Sequence, residues 1–215
     1  MQRVLATFGL VLLVVTPGTP QQTGLTEGQI KAAELEVPEL VQLFELKPGM
    51  TVADVGAGFG AWTVRLSKVV GPSGRVYSTD VGAAQLAALR ETAKREGLVN
   101  VSVVEGATNS SNLPALCCDA ILIRDAYHHL TQPDAIVKSL AAALKPGGRL
   151  AVIDFPPRPN SEVPSGVPAD RLGHGVPPGV VEREVGAALA HLRTISTWNA
   201  DSQPASLYLV LFRKS

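Results

Sequence analysis

The stretch at residues 50–60, Met-Thr-Val-Ala-Asp-Val-Gly-Ala-Gly-Phe-Gly, is an apolar run with one carboxylate, Asp54, that opens into glycines at positions 56, 58 and 60. This pattern is typical of a buried parallel strand whose end meets a small-molecule ligand. Glycine allows a sharp turn and a close approach to the ligand, and the first turn of the next helix offers unpaired N–H groups. We therefore predict a strand, a ligand-binding glycine loop and a helix, in this order.

A second carboxylate follows at the end of another strand-like run. Asp80 closes the segment Arg75-Val-Tyr-Ser-Thr-Asp80, downstream of the glycines. A carboxylate at the tip of the neighbouring strand can accept hydrogen bonds from both hydroxyls of a ribose. The glycine loop and Asp80 together predict a cofactor that contains a nucleoside.

The position of Asp54 indicates which nucleoside is bound. The pattern Gly56-x-Gly58-x-x-Ala61 also fits a dinucleotide fingerprint, but a carboxylate two residues before it would repel a pyrophosphate. A sulfonium and an ammonium group are attracted by the same charge, which favours S-adenosyl-L-methionine. A nicotinamide-dependent oxidoreductase and a ligand-free strand–helix turn remain as weaker alternatives.

Four stretches occur in a fixed order along the chain: ADVGAGFG (53–60), VYSTD (76–80), CDAILIRDAYHHL (118–130) and LKPGGRLAVID (144–154). With them, residues 50–155 resemble the class I S-adenosylmethionine-dependent methyltransferases. The resemblance is greatest to the small-molecule type related to the enzymes of ubiquinone and menaquinone biosynthesis. It implies methyl transfer to a small-molecule acceptor.

The resemblance also implies roles for individual residues. Asp54 would order the glycine loop, Asp80 would bind the ribose and Val81 would pack on the adenine. Ala107 stands where such enzymes commonly have an Asp that binds the adenine amino group. Thr108 or Asn109 would substitute for that Asp. With Thr108 included, the expected cofactor-binding residues are Asp54, Gly56, Ala57, Gly58, Asp80, Val81, Ala107, Thr108 and Arg124.

Candidate groups for acceptor chemistry follow the fourth predicted strand, which ends at Ile123. Methyl transfer mainly requires alignment of the acceptor, and many such enzymes need no strong base. If a base is used, His128 is the first choice, followed by Asp125 and His129, because a neutral imidazole can accept a hydroxyl proton near working pH. In the alternative interpretation, the two histidines only open the next helix. Arg124 contacts either the methionine carboxylate or a neighbouring acid.

Strands alternate with helices along most of the chain, which predicts a parallel sheet with helices on both faces. The expected fold class is α/β: a Rossmann-like, doubly wound, seven-stranded sheet, mostly parallel, with an antiparallel C-terminal strand. Pro38 is expected to divide two N-terminal helices, and 145–148 to form a turn. Residues 156–179, rich in proline and glycine, predict a long loop beside the site, and His174 within it is a candidate lid residue. A helix at 178–192 and strands at 194–198 and 206–212 complete the predicted elements.

Composition limits the classes of partner. The 215-residue chain is 46% hydrophobic and has no net formal charge, which favours one domain at 23–215 and argues against nucleic acid as a partner. The two cysteines, Cys117 and Cys118, are adjacent and are expected to be free, buried thiols. No metal-ligand spacing is apparent, so no metal is predicted. The oligomeric state is left open.

The N-terminus is unusual for such an enzyme. Arg3 precedes an uncharged apolar stretch at 4–15, and a polar, proline-containing segment follows at 16–22. Twelve apolar residues are too few to span a bilayer comfortably but suit a secretory signal. We therefore predict that residues 1–22 comprise a signal peptide and a linker, with Thr16 and Gly18 as the small residues at −3 and −1 of the cleavage site, and that the protein is exported or periplasmic. An uncleaved membrane anchor and a buried cytoplasmic helix are the alternatives. An exported protein could also be a methyltransferase-like binding or accessory protein without turnover.

Overall fold

The predicted first strand, β1 (Thr51–Val55), lies in the interior of a seven-stranded sheet in a computed structural model that describes residues 24–198 and 207–215. The other strands are β2 (Arg75–Asp80), β3 (Val101–Glu105), β4 (Cys118–Arg124), β5 (Leu144–Asp154), β6 (Ala190–Trp198) and β7 (Leu207–Arg213). Their order across the sheet is β3-β2-β1-β4-β5-β7-β6.

The strand directions confirm the predicted fold class. Strand β7 is antiparallel to both of its neighbours, β5 and β6, and the other neighbouring strands are parallel. The strand order reverses between β1 and β4, which opens a crevice beyond their carboxyl ends, where open α/β sheets bind ligands.

Helices cover both faces of the sheet. They are α1 (Glu27–Phe44), α2 (Ala61–Val70), α3 (Ala83–Arg95), α4 (Pro133–Ala143) and α5 (Pro178–Gly186). Strand β4 shows why its run is continuously apolar: Leu122 joins the core packed with α1 and α2, whereas Ile121 and Ile123 join the core packed with α4 and α5. A central strand of this kind is buried on both faces.

Helix α1 begins at the predicted capping box, but it is longer than predicted. Thr26 Oγ1 accepts from the backbone N–H of Gln29 at 3.2 Å, and the Gln29 side chain accepts from the backbone N–H of Thr26 at 3.1 Å, which forms a capping box. The prediction that Pro38 divides two helices is wrong, because α1 continues through it. A proline removes a single intrahelical donor, and the buried side chains of Val37 and Leu40 hold the helix on the core.

Two further boundaries differ from the predicted ones. Helix α5 ends at Gly186, and residues from Ala190 onward form β6, because they pair with the edge of β7. Strand β5 begins at Leu144, opposite Cys118, so the expected turn at 145–148 is part of an irregular strand. In both places, pairing with a distant strand overrides the local preference.

The prediction of two free thiols is also wrong. Cys117 and Cys118 are joined by a disulfide bond at the start of β4, where Cys118 is fully buried. Ring strain between adjacent cysteines made the bond unexpected from sequence, but the backbone entering the strand brings the two sulfur atoms together.

The expected signal segment at 1–22 lies outside the described residues, and so does Ser206, the predicted first residue of the last strand. Within the ranges 24–198 and 207–215, none of the helices combines the length and the apolar character needed to cross a membrane.

The proline-rich loop is present, and a buried polar network holds it to the sheet. Arg171, in a short 3-10 helix (Ala169–Arg171), is fully buried and donates to both carboxylate oxygens of Glu184 in α5, at 2.8 and 3.0 Å. The Tyr127 hydroxyl donates to the same carboxylate at 2.8 Å. The loop is therefore attached to the segment that follows β4.

Replacing Arg171 with Ala should destabilise the protein strongly, because it leaves the carboxylate of Glu184 without its buried cation. Removal of one partner of a buried ion pair typically costs about 3–5 kcal/mol. Arg183→Ala is the matched control: its ion pair with Asp170 is exposed, so its loss should cost less than about 1 kcal/mol. Urea denaturation of the two variants measures the difference, and equal losses would contradict this role of the network.

Candidate functional site

The glycine loop after β1 requires glycine for two separate reasons. Gly56, Gly58 and Gly60 all have positive φ, at 71°, 55° and 89°. A Cβ on Gly56 would also lie 2.5 Å from Cβ of Ala126, so β1 and the segment after β4 approach too closely for a side chain. A Cβ on Gly58 would meet no atom within 4 Å, because this residue faces open space.

Asp80, at the end of β2, connects that strand to the glycine loop. Its Oδ2 accepts from the backbone N–H of Gly58 at 3.0 Å. Its Oδ1 accepts from the N–H groups of Val81 at 2.8 Å and Gly82 at 3.0 Å. The carboxylate is thus held by three backbone donors at the position that was predicted for ribose binding.

A cavity of about 550 Å³, here called the main cavity, opens at the carboxyl ends of β1, β2 and β4. Val81 is 63% exposed at its wall, which leaves an apolar surface beside Asp80. The predicted site residues that line it are Gly56, Gly58, Asp80, Val81, Ala107, Thr108 and Asp125.

The other three predicted cofactor residues, Asp54, Ala57 and Arg124, line a smaller cleft of about 120 Å³ over the glycine loop, here called the loop cleft. The two spaces share five lining residues: Gln29, Gly56, Gly58, Phe59 and Asp125. The structure therefore brings together all nine residues that the sequence assigned to the cofactor.

Asp54 is buried beneath the loop and is held by α2. Thr63 Oγ1 donates to its Oδ2 at 2.7 Å, and the hydroxyl of Ser78 lies 2.6 Å from Thr63 Oγ1. Because Thr63 uses its proton on Asp54, Ser78 must donate to Thr63. Burial raises the pKa of Asp54 from 3.8 to about 6, and the hydrogen bonds from Thr63 only partly oppose this shift.

Sequence reasoning missed Glu36 in α1, which binds two side chains that line the loop cleft, Trp62 and Arg124. Its carboxylate is buried and accepts from Trp62 Nε1 at 2.9 Å and from Arg124 Nη2 at 3.2 Å. The Arg124 guanidinium also lies 4.2 Å from the centroid of the Trp62 ring. The available signal was an acidic residue on the apolar face of α1, next to the buried Val37.

The structure does not bring His128, the first-choice base, to the main cavity. His128 is only 2% exposed, and its Nδ1 lies 2.8 Å from Oδ1 of Asp154, at the end of β5. His129 and Asp125 line the cavity instead. Partial burial lowers the pKa of His129, and the neighbouring His128 and His174 lower it further. Partial burial raises the pKa of the Asp125 carboxyl, although nearly half of the side chain is exposed.

The proline-rich loop adds His174 to this group. The ring centroid of His174 lies 4.9 Å from that of His128 and 5.5 Å from that of His129. Burial lowers the pKa of His174, and the charges of His128 and Arg158 act in the same direction. Sequence spacing did not predict this cluster. His174 is distant from the other two histidines in the chain, and the sequence around Asp154 indicates only the end of a strand.

Comparison with known proteins confirms the resemblance seen in the sequence. A protein-family model described as a methyltransferase domain matches residues 52–148. The ubiquinone/menaquinone biosynthesis C-methyltransferase UbiE of Shewanella pealeana is 34% identical over 118 residues, which cover 54% of this chain and 47% of the relative. UbiE of Pasteurella multocida is 33% identical over 111 residues, covering 51% and 41% respectively. The chain thus matches less than half the length of these relatives.

The fold comparison extends over more of the chain. The crystal structure of a SAM-dependent methyltransferase from Aquifex aeolicus superposes with a TM-score of 0.65 and 27% identity. The superposition covers 89% of this chain and 100% of the Aquifex aeolicus chain. The seven-stranded fold is therefore that of the class I methyltransferases.

Replacing Asp54 with Asn should remove a pH dependence of stability. Because the pKa of Asp54 is raised to about 6 on folding, the folded state holds the proton more tightly, and stability falls as pH rises between about 4 and 6. At about 1.4 kcal/mol per pKa unit, ionised Asp54 lowers the unfolding free energy by roughly 2–3 kcal/mol.

The test measures the unfolding free energy of Asp54→Asn relative to the wild-type protein by urea denaturation at two pH values. This difference should be more favourable to the variant at about pH 7 than at about pH 4, by roughly 2–3 kcal/mol. Asp134→Asn, at an exposed position in the first turn of α4, serves as the control and should show no such gain. The same pH profile for wild type and Asp54→Asn would disprove the assignment.

Proposed function

Because residues 52–148 form a methyltransferase domain and the chain has the class I fold, we propose that this protein transfers a methyl group from S-adenosylmethionine to a small-molecule acceptor. One observation carries the proposal: the buried carboxylate of Asp54 lies beneath a glycine loop that is clamped by a second carboxylate, Asp80. This pair suits a positively charged nucleoside and repels a pyrophosphate.

The main cavity would hold the nucleoside part of the donor. Each oxygen of an ionised carboxylate can accept more than one hydrogen bond, so Asp80 can bind ribose hydroxyls while it keeps its backbone donors. The exposed apolar side chain of Val81 would pack on the adenine. At the position of the usual adenine-binding Asp, the hydroxyl of Thr108 stands beside Ala107 at the cavity wall and would replace it.

The loop cleft would hold the methionine part, against Gly56, Ala57 and Gly58. Arg124 contacts Glu36 at 3.2 Å and Asp125 at 3.5 Å. These contacts support the interpretation in which Arg124 pairs with neighbouring acids. Its role would then be to balance the charge of Glu36 below the cleft, while Asp54 supplies the field that favours a cation.

The acceptor would enter the main cavity beside Asp125 and His129. The volume of about 550 Å³ lies in the range of small-molecule sites. In methyl transfer the acceptor attacks the methyl carbon in line with the breaking C–S bond, so the protein mainly aligns the two molecules. His129 and Asp125 are placed to receive an acceptor proton. His128 would instead act behind them, through its contact with His129 at 4.0 Å between ring centroids.

Calorimetry with three ligands tests the proposal. The wild-type protein should bind S-adenosylmethionine and S-adenosylhomocysteine and should not bind NAD. Asp54→Ala and Asp80→Ala should each weaken binding of both sulfur nucleosides at least about tenfold, which corresponds to about 1.4 kcal/mol.

Asp134→Ala, at the exposed position in α4, is the control and should bind them like the wild type. Absence of heat with both sulfur nucleosides would overturn the proposal. Tight NAD binding that tolerates Asp54→Ala would identify an oxidoreductase. Binding of the sulfur nucleosides without transfer to any acceptor would point to an accessory protein.

We also propose that residues 1–22 direct export of the protein. Support comes from the charged residue Arg3, the apolar stretch at 4–15 and the polar segment at 16–22. N-terminal sequencing of the protein from its native host should give a chain that has lost the apolar stretch and begins after Gly18. A chain that still begins at Met1 in the cytoplasmic fraction would disprove the export proposal and leave the methyltransferase proposal intact.

A further inference from the structure

Three of the four histidines of the chain converge at the carboxyl edge of the sheet. His128 and His129 follow β4, and His174 reaches them from the proline-rich loop. One ring nitrogen from each of the three lies within 4.8 Å of the others. Nitrogen atoms at such distances can coordinate one ion after small side-chain movements, since metal–imidazole bonds are about 2.0–2.1 Å long.

A buried carboxylate orients the innermost ring. Asp154 is fully buried, and its Oδ1 lies 2.8 Å from Nδ1 of His128. Its two oxygens also accept from the backbone N–H groups of His128, at 3.1 Å, and Phe155, at 2.9 Å. Because Nδ1 is engaged, Nε2 is the nitrogen of His128 that remains for another ligand. A carboxylate behind a histidine in this way is the usual support of a metal-binding imidazole.

The other two rings are His129 and His174. In the part of the chain that the structure describes, no hydrogen bond engages a ring nitrogen of His129 or His174. Their rings contact each other, the ring of His128 and, for His174, the ring of Phe155 at 5.6 Å between centroids. The cluster therefore brings together three imidazoles, each with a ring nitrogen that makes no hydrogen bond among the described residues, and one ligand atom of each lies within 4.8 Å of the others.

We propose that His128, His129 and His174 form a binding site for one divalent transition-metal ion of the zinc type. This inference goes beyond methyl transfer and does not depend on it; while an ion is bound, His129 is a ligand and Asp125 is the group that remains to receive an acceptor proton. Three imidazole nitrogens are the ligand set of open zinc sites, in which a fourth position is left for water or a bound molecule. Imidazole also suits other first-row ions, but oxygen-seeking ions such as Mg²⁺ prefer carboxylates.

The charges around the cluster support a cation. The carboxylates of Asp125 and Asp154 lie within 4.8 Å of a ligand atom of His128. Arg158, whose guanidinium lies 4.6 Å from the ring centroid of Phe155, is the nearby positive charge that opposes binding of a cation. A second arrangement, with Asp125, His128 and Asp154 as ligands, is less favourable, because the oxygens of Asp154 already accept three hydrogen bonds.

The site would lie at the wall of the main cavity, since His129 lines that cavity. An ion there would be next to the molecule that occupies the cavity. It would also tie the proline-rich loop, through His174, to the segment after β4. The Arg171–Glu184–Tyr127 network already holds the loop to the same segment, so the histidines meet in the folded protein before any ion binds.

The test uses the full chain after dialysis against a chelator, with Zn²⁺ and then Co²⁺ as probes. The wild-type protein should bind one equivalent of Zn²⁺, measured by competition with a chromophoric chelator. One equivalent of Co²⁺ should give the intense visible absorption of a tetrahedral site.

His174→Ala should weaken Zn²⁺ binding at least about 100-fold and abolish the Co²⁺ absorption, because it removes one of three ligands. Asp154→Asn should weaken binding about 10–100-fold while keeping all three ligands. His191→Ala removes the fourth histidine, which lies outside the cluster near Thr194 in β6, and should bind like the wild type. His174 is in a loop and partly exposed, and circular dichroism of each variant verifies the fold.

The proposal fails if the wild type takes up less than one equivalent of Zn²⁺. It also fails if His174→Ala and His191→Ala bind Zn²⁺ with equal affinity. The cluster would then be a stack of imidazoles against Phe155. Neither result bears on donor binding, which the calorimetry with sulfur nucleosides measures separately.

Discussion

The close approach of β1 to the segment after β4 is the constraint on which the site depends. A side chain at Gly56 would overlap Ala126, so the two segments can meet only where residue 56 is a glycine. This contact places the glycine loop against Asp125 and His129, and it makes one continuous binding region of the main cavity and the loop cleft. The main cavity and the loop cleft are therefore adjacent because β1 and the segment after β4 approach so closely.

The carboxylates around this contact have different environments and different tasks. Asp54 is buried and loses hydration, so it stores an electrostatic cost that a cationic ligand can offset. Asp80 is partly exposed and both of its oxygens accept from backbone donors, which fixes the glycine loop before any ligand arrives. Glu36 neutralises Arg124 beneath the loop cleft. A site with preformed backbone and balanced charges loses little entropy when a ligand binds.

The long proline-rich loop is anchored by a buried ion pair, which its composition did not predict. It contains few large apolar groups, yet Arg171 is fully buried in its ion pair with Glu184 and carries the loop across the end of the sheet. His174 reaches the two histidines after β4 as a consequence. A loop that is anchored in this way can contribute side chains to a site with the precision of a strand end.

The sequence by itself determined the sheet, the directions of its strands and the residues that gather around the glycine loop, because these follow from local patterns: apolar runs, glycines at 56 and 58, and carboxylates at strand ends. It could not determine which elements would be lengthened by pairing, as at the starts of β5 and β6, since that depends on a distant partner strand. Only the tertiary structure decided that Glu36 lies under Arg124, that His128 is turned from the cavity toward Asp154, and that His174 joins the cluster. Those contacts join residues far apart in the chain, and only packing decides where such residues meet.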